Sequence, residues 1–259
     1  MPSSTLHPTA VVDSKAVLDL GVEIGPYAVI GPHVTLGAGT TVGAHAVIDG
    51  HTTLGRDCRV FPSAMVGQPP QDLKFRGERT FLRIGDRTVI REFATLNLAT
   101  MPEEATVVGR DCLLMAYTHV AHNCVIGDHV ILANAVNLAG HVTIEDHAII
   151  GGVTPVHQFV RIGCHSFVGG GSRIPQDVAP YTLVAGNPAR LAGLNRIGLE
   201  RRGFSPATLS ALKQAFRIMF RSRLTVERAL ARARAELPEL PEVTHFLDFF
   251  SHSRRGVSR

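Results

Sequence analysis

The sequence predicts a mainly β protein, a parallel β-helix of hexapeptide repeats followed by a small α-helical C-terminal domain. Three observations indicate this fold. Apolar residues recur at every sixth position over most of the chain, small or turn-forming residues follow them, and the pattern becomes basic and helical near residue 190. A period of six fits one short strand plus one turn, and three such units close a triangular coil.

The repeat comprises 25 apolar residues in three blocks, and residues eighteen apart are expected to stack in successive coils. The repeated residues are Val12, Leu18, Ile24, Ile30, Leu36, Val42, Ile48, Leu54, Val60 and Val66; then Ile84, Ile90 and Leu96; then Val108, Leu114, Val120, Ile126, Leu132, Leu138, Ile144, Ile150, Val156, Ile162, Val168 and Ile174. The next residue is often glycine, as at Gly37 and Gly127, where we expect a corner to need permissive dihedrals. The coil resembles those of hexapeptide-repeat proteins, which implies a left-handed β-helix.

The chain divides into a β-helix domain (1–189) and a helical domain (190–259) of opposite charge. The first has 12 Lys and Arg against 16 Asp and Glu, net −4, and the second has 14 against 6, net +8. Helices are predicted over 206–220, 226–237 and 241–250, with Ser205 and Thr225 as N-caps. This domain caps the end of the solenoid.

The basic helical domain has three possible roles. An acidic protein partner is the preferred interpretation, a solvated face is the alternative, and nucleic acid is disfavoured because no recognised binding motif or interleaved aromatic pattern is present.

Two interruptions of the repeat, near 68–81 and 97–105, are expected to form outward loops, where ligands usually bind.

Cysteine usage and the N-terminal segment favour a cytoplasmic protein. Cys58, Cys112, Cys124 and Cys164 show no paired spacing, so we interpret them as core residues rather than metal ligands or disulfides. Charged residues stand where a signal peptide would need an apolar run, and no stretch approaches a membrane span.

The histidine spacing indicates a site. Positions 120, 138 and 156 are eighteen apart, so the residues that follow them should converge on one edge of the prism. These residues are His122, Gly140, His141 and His157, and His119, directly before Val120, is a further candidate. Other histidines are predicted to be corner residues that point to solvent: His33, His45, His51, His129, His147 and His165.

The chemistry of this cluster favours proton transfer over metal binding. Hexapeptide carbonic anhydrases use two histidines five residues apart on one coil, and no two histidines here have that spacing. Neutral imidazole can accept a proton from a hydroxyl nucleophile near physiological pH. Acyl transfer is therefore the expected reaction.

Six segments together resemble the acyl-[acyl-carrier-protein]–UDP-N-acetylglucosamine O-acyltransferase family, which begins lipid A synthesis. They extend from the β-helix to the C-terminal helices: QDLKF (71–75), HVAHNC (119–124), LAGHVTI (138–144), VHQF (156–159), QDVAPY (176–181) and RRGFS (201–205). The resemblance implies transfer of an (R)-3-hydroxyacyl group from acyl carrier protein to the 3-hydroxyl of UDP-N-acetylglucosamine. It also implies a homotrimer with sites between subunits and no metal or bound cofactor, the acyl donor being carried on phosphopantetheine.

The resemblance also implies residue roles. His122 matches the general base, and the backbone N–H of Gly140 matches the oxyanion donor. The glycine Gly170 matches the position that limits acyl length, and it suggests a longer chain. The residues matched to substrate binding are Asp72, Lys74, His119, His141, His157 and Gln158, with Asn195, Arg201 and Arg202 in the nucleotide-binding region.

The sequence departs from the family in two places. Where members have His or Asn before Arg-Gly-Thr, this chain has Asn97-Leu98-Ala99-Thr100, and Asn123 follows His122, so no adjacent carboxylate supports that imidazole. Two alternatives therefore stay open: an N-acyltransferase acting on the 3-amino analogue of the acceptor, and an inactive trimeric scaffold.

Overall fold

The computed structural model describes residues 4–259, so the first three residues of the predicted β-helix domain lie outside it. Short strands form a three-sided solenoid, and helices follow at its C-terminal end. The strands β1–β27 are Thr5–Leu6, Val11–Val12, Val17–Leu18, Glu23–Ile24, Val29–Ile30, Thr35–Leu36, Thr41–Val42, Val47–Ile48, His51–Leu54, Arg59–Val60, Met65–Gln68, Phe81–Ile84, Val89–Ile90, Thr95–Asn97, Ala105–Val108, Leu113–Leu114, His119–Val120, Val125–Ile126, Ile131–Leu132, Asn137–Leu138, Thr143–Ile144, Ile149–Ile150, Pro155–Val156, Arg161–Ile162, Phe167–Val168, Thr182–Ala185 and Arg190–Leu194. The helices α1–α4 are Arg196–Arg201, Pro206–Arg221, Val226–Glu236 and Pro241–Ser251.

Every third strand belongs to the same side of the prism. The first sheet has eleven strands in the order β1-β4-β7-β10-β13-β16-β19-β22-β25-β26-β27. The second sheet runs from β2 to β23 and the third from β3 to β24, with eight strands each. The pairings are parallel apart from β26 with β27, which are antiparallel. This architecture is consistent with a left-handed parallel β-helix.

The predicted eighteen-residue coil is confirmed by the strand register. Val120 pairs with Leu138, which pairs with Val156, so these side chains form one column in the second sheet. All three are buried, and together with the equivalent columns of the other sheets they form a continuous aliphatic core. Burial of one such side chain contributes about 1.5–3 kcal/mol.

Glycines after the repeated residues serve a different purpose from the one predicted. Gly37 and Gly127 have ordinary φ, but a β-carbon on Gly37 would lie 2.6 Å from the Gly55 carbonyl carbon. These glycines are needed because successive coils approach closely at that point. The left-handed conformation occurs two residues later, often without glycine, as at His129 (φ 57°) and His147 (φ 62°).

The helical domain begins later than predicted. Residues 190–194 form β27, which extends the first sheet by pairing with β26, so the predicted helical range starts five residues too early. The predicted caps are present: the side chain of Ser205 accepts the Thr208 N–H, and that of Thr225 accepts the Arg228 N–H. The helices enclose a second core rich in phenylalanine. Among residues 4–259, none of the helices combines the length and apolarity that crossing a bilayer requires.

The cysteines behave as core residues. Cys58, Cys112 and Cys124 are buried, and all four cysteines are free. Burial raises the pKa of the Cys58 and Cys112 thiols to about 11 and that of Cys124 to about 12. These three thiols are therefore protonated and unreactive at neutral pH.

Candidate active site

The two interruptions of the repeat leave the solenoid at the same edge as the histidine cluster. One loop joins β11 to β12 and the other joins β14 to β15, and both connect the second sheet to the third. The turns that contain His122 and Gly140 make the same connection in later coils. We call this corner the His122 edge. It combines the two long loops with the converging imidazoles.

Gly140 lies directly against the ring of His122. A β-carbon at position 140 would stand 2.6 Å from His122 Nε2, so an alanine there would displace the ring. Gly140 is buried, and its carbonyl accepts the Phe159 N–H at 3.2 Å. No hydrogen bond among the described residues uses the Gly140 N–H. The His122 imidazole and a backbone N–H without a hydrogen-bond partner among the described residues are therefore adjacent.

His141 forms the next part of the cluster. Its ring meets that of His122 edge-on, with centroids 5.2 Å apart, and stacks on Phe159 at 4.8 Å. Burial lowers the pKa of His141, and the proximity of His122 lowers it further, whereas the charges of Glu104 and Asp72 act in the opposite direction. The lowered pKa favours neutral His141 near pH 7, and the charge of Asp72 on the first loop acts on this ring.

His119 lies on β17, beside the cluster. Its Nδ1 is 2.7 Å from the hydroxyl of Thr95 on the neighbouring strand. Burial, followed by the proximity of His122, lowers the pKa of His119. The structure thus brings His119, His122 and His141 together, as the spacing predicted.

The first loop is shaped by local hydrogen bonds. Asp72 Oδ1 accepts the Lys74 N–H at 2.9 Å, and Lys74 is exposed. Asn97 donates from Nδ2 to the Pro69 carbonyl at 3.1 Å, which ties the start of the second loop to the first. The Asn97-Leu98-Ala99-Thr100 departure is accommodated by burial, because Leu98 and Ala99 join the protein interior.

His157 and Gln158 lie on the same edge, one coil further on. His157 is exposed, its Nδ1 is 3.1 Å from the Gln158 carbonyl oxygen, and its backbone N–H donates to Ile174. Gly170 lies on another edge, between the first and second sheets, where a β-carbon would meet the Gly152 carbonyl at 3.3 Å. Its assignment to acyl length stays a prediction.

The predicted nucleotide-binding residues lie on the third edge, away from His122 of the same chain. Asn195 donates from Nδ2 to the His165 carbonyl at 2.9 Å, and Arg202 donates to His147 Nδ1 at 2.7 Å. Arg201 is exposed. This edge joins the third sheet to the first, so one chain does not bring these side chains to the His122 edge.

Three histidines predicted to point to solvent form a stacked ladder instead. His129, His147 and His165 occupy equivalent corners, with ring centroids 4.7 and 4.6 Å apart. His165 also packs against Tyr181 and Phe204 of the helical domain. Burial, followed by the proximity of His147 and of the Arg202 guanidinium, lowers the pKa of His165 to about 4. The solvent-facing prediction is wrong for His165, because the helical domain covers the end of the ladder.

One cluster with metal-binding chemistry lies outside the His122 edge. Glu145, Cys164 and His245 bring their ligand atoms within 4.8 Å of one another. His245 Nε2 is 2.7 Å from a Glu145 oxygen, and Arg161 also contacts that carboxylate. The contacts form an ion pair between the solenoid and α4.

The sequence placed Gly140, His141 and Asn123 beside His122 but did not identify Thr100 and Glu104 as partners of Asn123. Asn123 Oδ1 lies 3.0 Å from His122 Nδ1, and Asn123 also contacts Thr100 and Glu104 from the second loop. The sequence feature that could have pointed to Glu104 was its position in the second interruption of the repeat. The spacing could not show where that loop folds.

A hexapeptide solenoid with an imidazole beside a free backbone donor is the architecture of a hexapeptide-repeat acyltransferase. Bacterial transferase hexapeptide repeats match residues 21–50 and 105–140, and the second domain of UDP N-acetylglucosamine O-acyltransferase matches residues 177–258. The chain belongs to the acyl-[acyl-carrier-protein]–UDP-N-acetylglucosamine O-acyltransferase family.

Relatives and a solved structure support this membership over almost the full length. The family's enzyme from Chlorobaculum tepidum is 65% identical, over 95% of this chain and 94% of the relative. That from Paracidovorax citrulli is 53% identical, over 99% of this chain and 100% of the relative. The solved structure of LpxA from Acinetobacter baumannii superimposes with a TM-score of 0.95 at 43% identity, covering 98% of this chain and 99% of that one. The fold and enzyme predictions are confirmed.

Proposed function

We propose that the protein transfers an (R)-3-hydroxyacyl group from acyl carrier protein to the 3-hydroxyl of UDP-N-acetylglucosamine, the first step of lipid A synthesis, with His122 as general base. The observation that carries the proposal is the packing of the His122 ring on Gly140, whose β-carbon position is nearer to Nε2 than to Nδ1 and whose backbone N–H makes no hydrogen bond among the described residues. Family membership supplies the two substrates.

The proposed reaction uses one base and one oxyanion donor. His122 Nε2 takes the proton of the sugar hydroxyl while that oxygen attacks the thioester carbon. The Gly140 N–H stabilises the negative oxygen of the tetrahedral intermediate. The C–S bond then breaks, and the proton passes from His122 to the departing phosphopantetheine thiolate. Each step balances without a metal or a resident cofactor, so we expect activity to survive chelators.

Substrate positioning is assigned to the side chains around the pair. Asp72 reaches the cluster closely enough to affect His141, and both side chains offer hydrogen bonds to the sugar. His119, His157, Gln158 and the ammonium group of Lys74 lie on the same edge or its loops. Free cysteines fit a reducing compartment, which supports a cytoplasmic location.

We also propose a homotrimer whose sites lie between subunits. Asn195, Arg201 and Arg202 occupy a different edge from His122, so only a second copy can bring them to the same substrate. Outward-facing valines on two sheets support this assembly, since Val11 and Val17 are 63% and 58% exposed. Exposed apolar residues of this kind are typically covered by a partner.

The helical domain offers a docking surface for the acidic carrier protein. A groove of about 790 Å³ runs along α1 and α2. Lys213, Arg217 and Arg221, four residues apart on one face of α2, line it. A positive groove attracts an acidic partner and speeds its association.

The proposed reaction is tested with three acceptors and acyl carrier proteins charged with 3-hydroxyacyl chains of several lengths. UDP-N-acetylglucosamine should be acylated, and its 3-deoxy analogue, which lacks the nucleophile, should not. Faster transfer to the 3-amino analogue would replace the O-acyltransferase with an N-acyltransferase. Absence of transfer to all acceptors would overturn the proposal. The chain-length series also tests the assignment of Gly170.

Mixed oligomers test the shared site. H122A and R201A are each expected to be nearly inactive, but refolding an equal mixture should restore about one quarter of the sites, because some interfaces then combine an intact His122 with an intact Arg201. Activity no greater than that of the separate variants would contradict a site built from two subunits.

A further inference from the structure

We propose that Glu104, Thr100 and Asn123 form a hydrogen-bonded chain that fixes the tautomer of His122, with Glu104 as a positioning residue at its outer end. The inference rests on the role proposed for His122. It assigns a function to the second loop, which contributes both Thr100 and Glu104.

The orientation of the Asn123 amide is determined by two contacts. The backbone N–H of Thr100 donates to Oδ1 at 3.1 Å, and a backbone N–H cannot accept a hydrogen bond. On the other side, Nδ2 donates to a Glu104 carboxylate oxygen at 2.5 Å. A flipped amide would set a donor against a donor at Thr100 and an acceptor against the carboxylate at Glu104. Both contacts therefore require the same orientation.

This orientation determines where His122 holds its proton. Asn123 Oδ1 can only accept, and it lies 3.0 Å from His122 Nδ1. The neutral imidazole must therefore carry hydrogen on Nδ1 and its free lone pair on Nε2, which is the nitrogen beside Gly140. The chain of contacts prepares Nε2 to accept a proton.

The backbone holds Asn123 in place independently of Glu104. Asn123 adopts a left-handed conformation with φ of 59°, which asparagine tolerates well. Its N–H donates to the hydroxyl of the buried Thr106 at 2.8 Å. Loss of Glu104 is thus expected to leave the amide held by Thr100 alone, so that it rotates more easily while the backbone turn stays intact.

Glu104 also places a negative charge behind the imidazole. The carboxylate compensates for the missing acidic neighbour of His122, since the positive imidazolium formed during transfer is stabilised through the Asn123 amide. Glu104 is exposed, so solvent screens this charge and a moderate effect is expected. The same carboxylate is near enough to His141 to oppose the fall in the pKa of that ring.

The first test compares E104A, which loses both contact and charge, with E104Q, which keeps an acceptor for Asn123 Nδ2. E104A should lower kcat about tenfold with KM within about twofold, and E104Q should fall between E104A and the native enzyme. The acid limb of the pH–rate profile should move to lower pH in both, because the imidazolium loses its counter-charge. The control is E103Q, since Glu103 is exposed and pairs with Arg79 instead. Native kcat and an unchanged profile in E104A would overturn the inference.

A reciprocal exchange tests the direction of the chain. N123D keeps an acceptor for His122 Nδ1 but sets two carboxylates against each other, so it should lower kcat up to about tenfold, whereas N123D/E104Q lets the new amide donate to the new carboxylate and should return kcat to within about threefold of the native value. Additive effects of the two substitutions would contradict the chain.

Nitrogen NMR of His122 in the absence of substrate provides a readout besides activity. The native protein should show hydrogen on Nδ1, and E104A should show both tautomers. If the native protein had no transferase activity, the proposed function would be refuted but this inference would not. A native enzyme that transfers acyl groups while E104A keeps the single tautomer would refute this inference alone.

Discussion

His122 packs its imidazole on Gly140, so closely that a β-carbon at that position would stand 2.6 Å from Nε2. Position 140 is also the source of the backbone donor proposed for the oxyanion. The His122 ring and the Gly140 N–H are thus fixed relative to each other by two adjacent coils of the solenoid, whose register holds Val120 beside Leu138.

G140A is expected to lower kcat about a hundredfold, because the new methyl group displaces the imidazole by an ångström or more from the reacting oxygen. KM for the nucleotide sugar should change little. Steady-state kinetics check this, with G193A as the control, since a β-carbon at Gly193 meets no atom within 4 Å. If G140A and G193A lost kcat equally, the effect would be attributed to impaired folding.

K213E/R217E is expected to raise KM for acyl carrier protein at least tenfold at low salt, because it reverses two charges in the groove on α2. KM for UDP-N-acetylglucosamine should stay unchanged. The matched control is R228E, an exposed residue of α3 that does not line the groove. An unaltered KM for the carrier protein would place its docking surface elsewhere.

H165F is expected to increase thermal stability, and more so as the pH falls. His165 has a pKa of about 4 in the folded protein against 6.5 in the unfolded chain, so protonation of this ring favours unfolding. The folded state of the native protein therefore loses stability as the pH falls from 6.5 through 4. Phenylalanine keeps the ladder contacts and removes a buried Nδ1 that has no hydrogen-bond partner within residues 4–259. A gain of about 2–4 °C in Tm is expected at pH 5.

Scanning calorimetry at pH 5 and pH 8 tests this difference, with H7F as a control at an exposed histidine. A gain in Tm that does not depend on pH would show that His165 is not titrating in this range.

The ion pair between His245 and Glu145 is expected to stabilise the contact between the solenoid and α4 over a defined pH range. Hydrogen bonds with Cys164 and Glu145 raise the pKa of His245 to about 10 from 6.5, so its contribution is complete below pH 6.5 and is lost as pH rises through 10. Burial opposes ionisation of Glu145, but the hydrogen bond from His245 holds its pKa below the usual 4.5. The contribution of the ionised Glu145 carboxylate to stability is therefore complete above pH 4.5 and is lost as the pH falls below its lowered pKa.

H245A should therefore lower Tm by about 2–4 °C at pH 6 and have little effect above pH 10. Thermal denaturation across this range measures the difference, and H252A is the control because His252 is the C-cap of α4 and its Nδ1 lies 2.8 Å from the Asp248 carbonyl oxygen of the same helix. A Tm loss that persisted above pH 10 would assign the effect to packing.

The solenoid could be predicted because each repeat obeys the same local rule. Outside the two coils that carry the loops, residues eighteen apart pair, so the convergence of His122, Gly140 and His141 followed from counting alone. The two loops obey no such rule, and Glu104 reaches Asn123 through a path that spacing does not encode. Similarly, His165 was misassigned because its burial depends on Phe204 in a domain that packs back onto the solenoid.

The most direct test of the account is kcat for H122A at saturating acyl carrier protein and UDP-N-acetylglucosamine, with H129A, a ladder histidine on another edge, as the control. A loss of at least a hundredfold in H122A alone, with both KM values nearly unchanged, is the predicted result for a general base. A kcat within about threefold of the native value would contradict that role for His122.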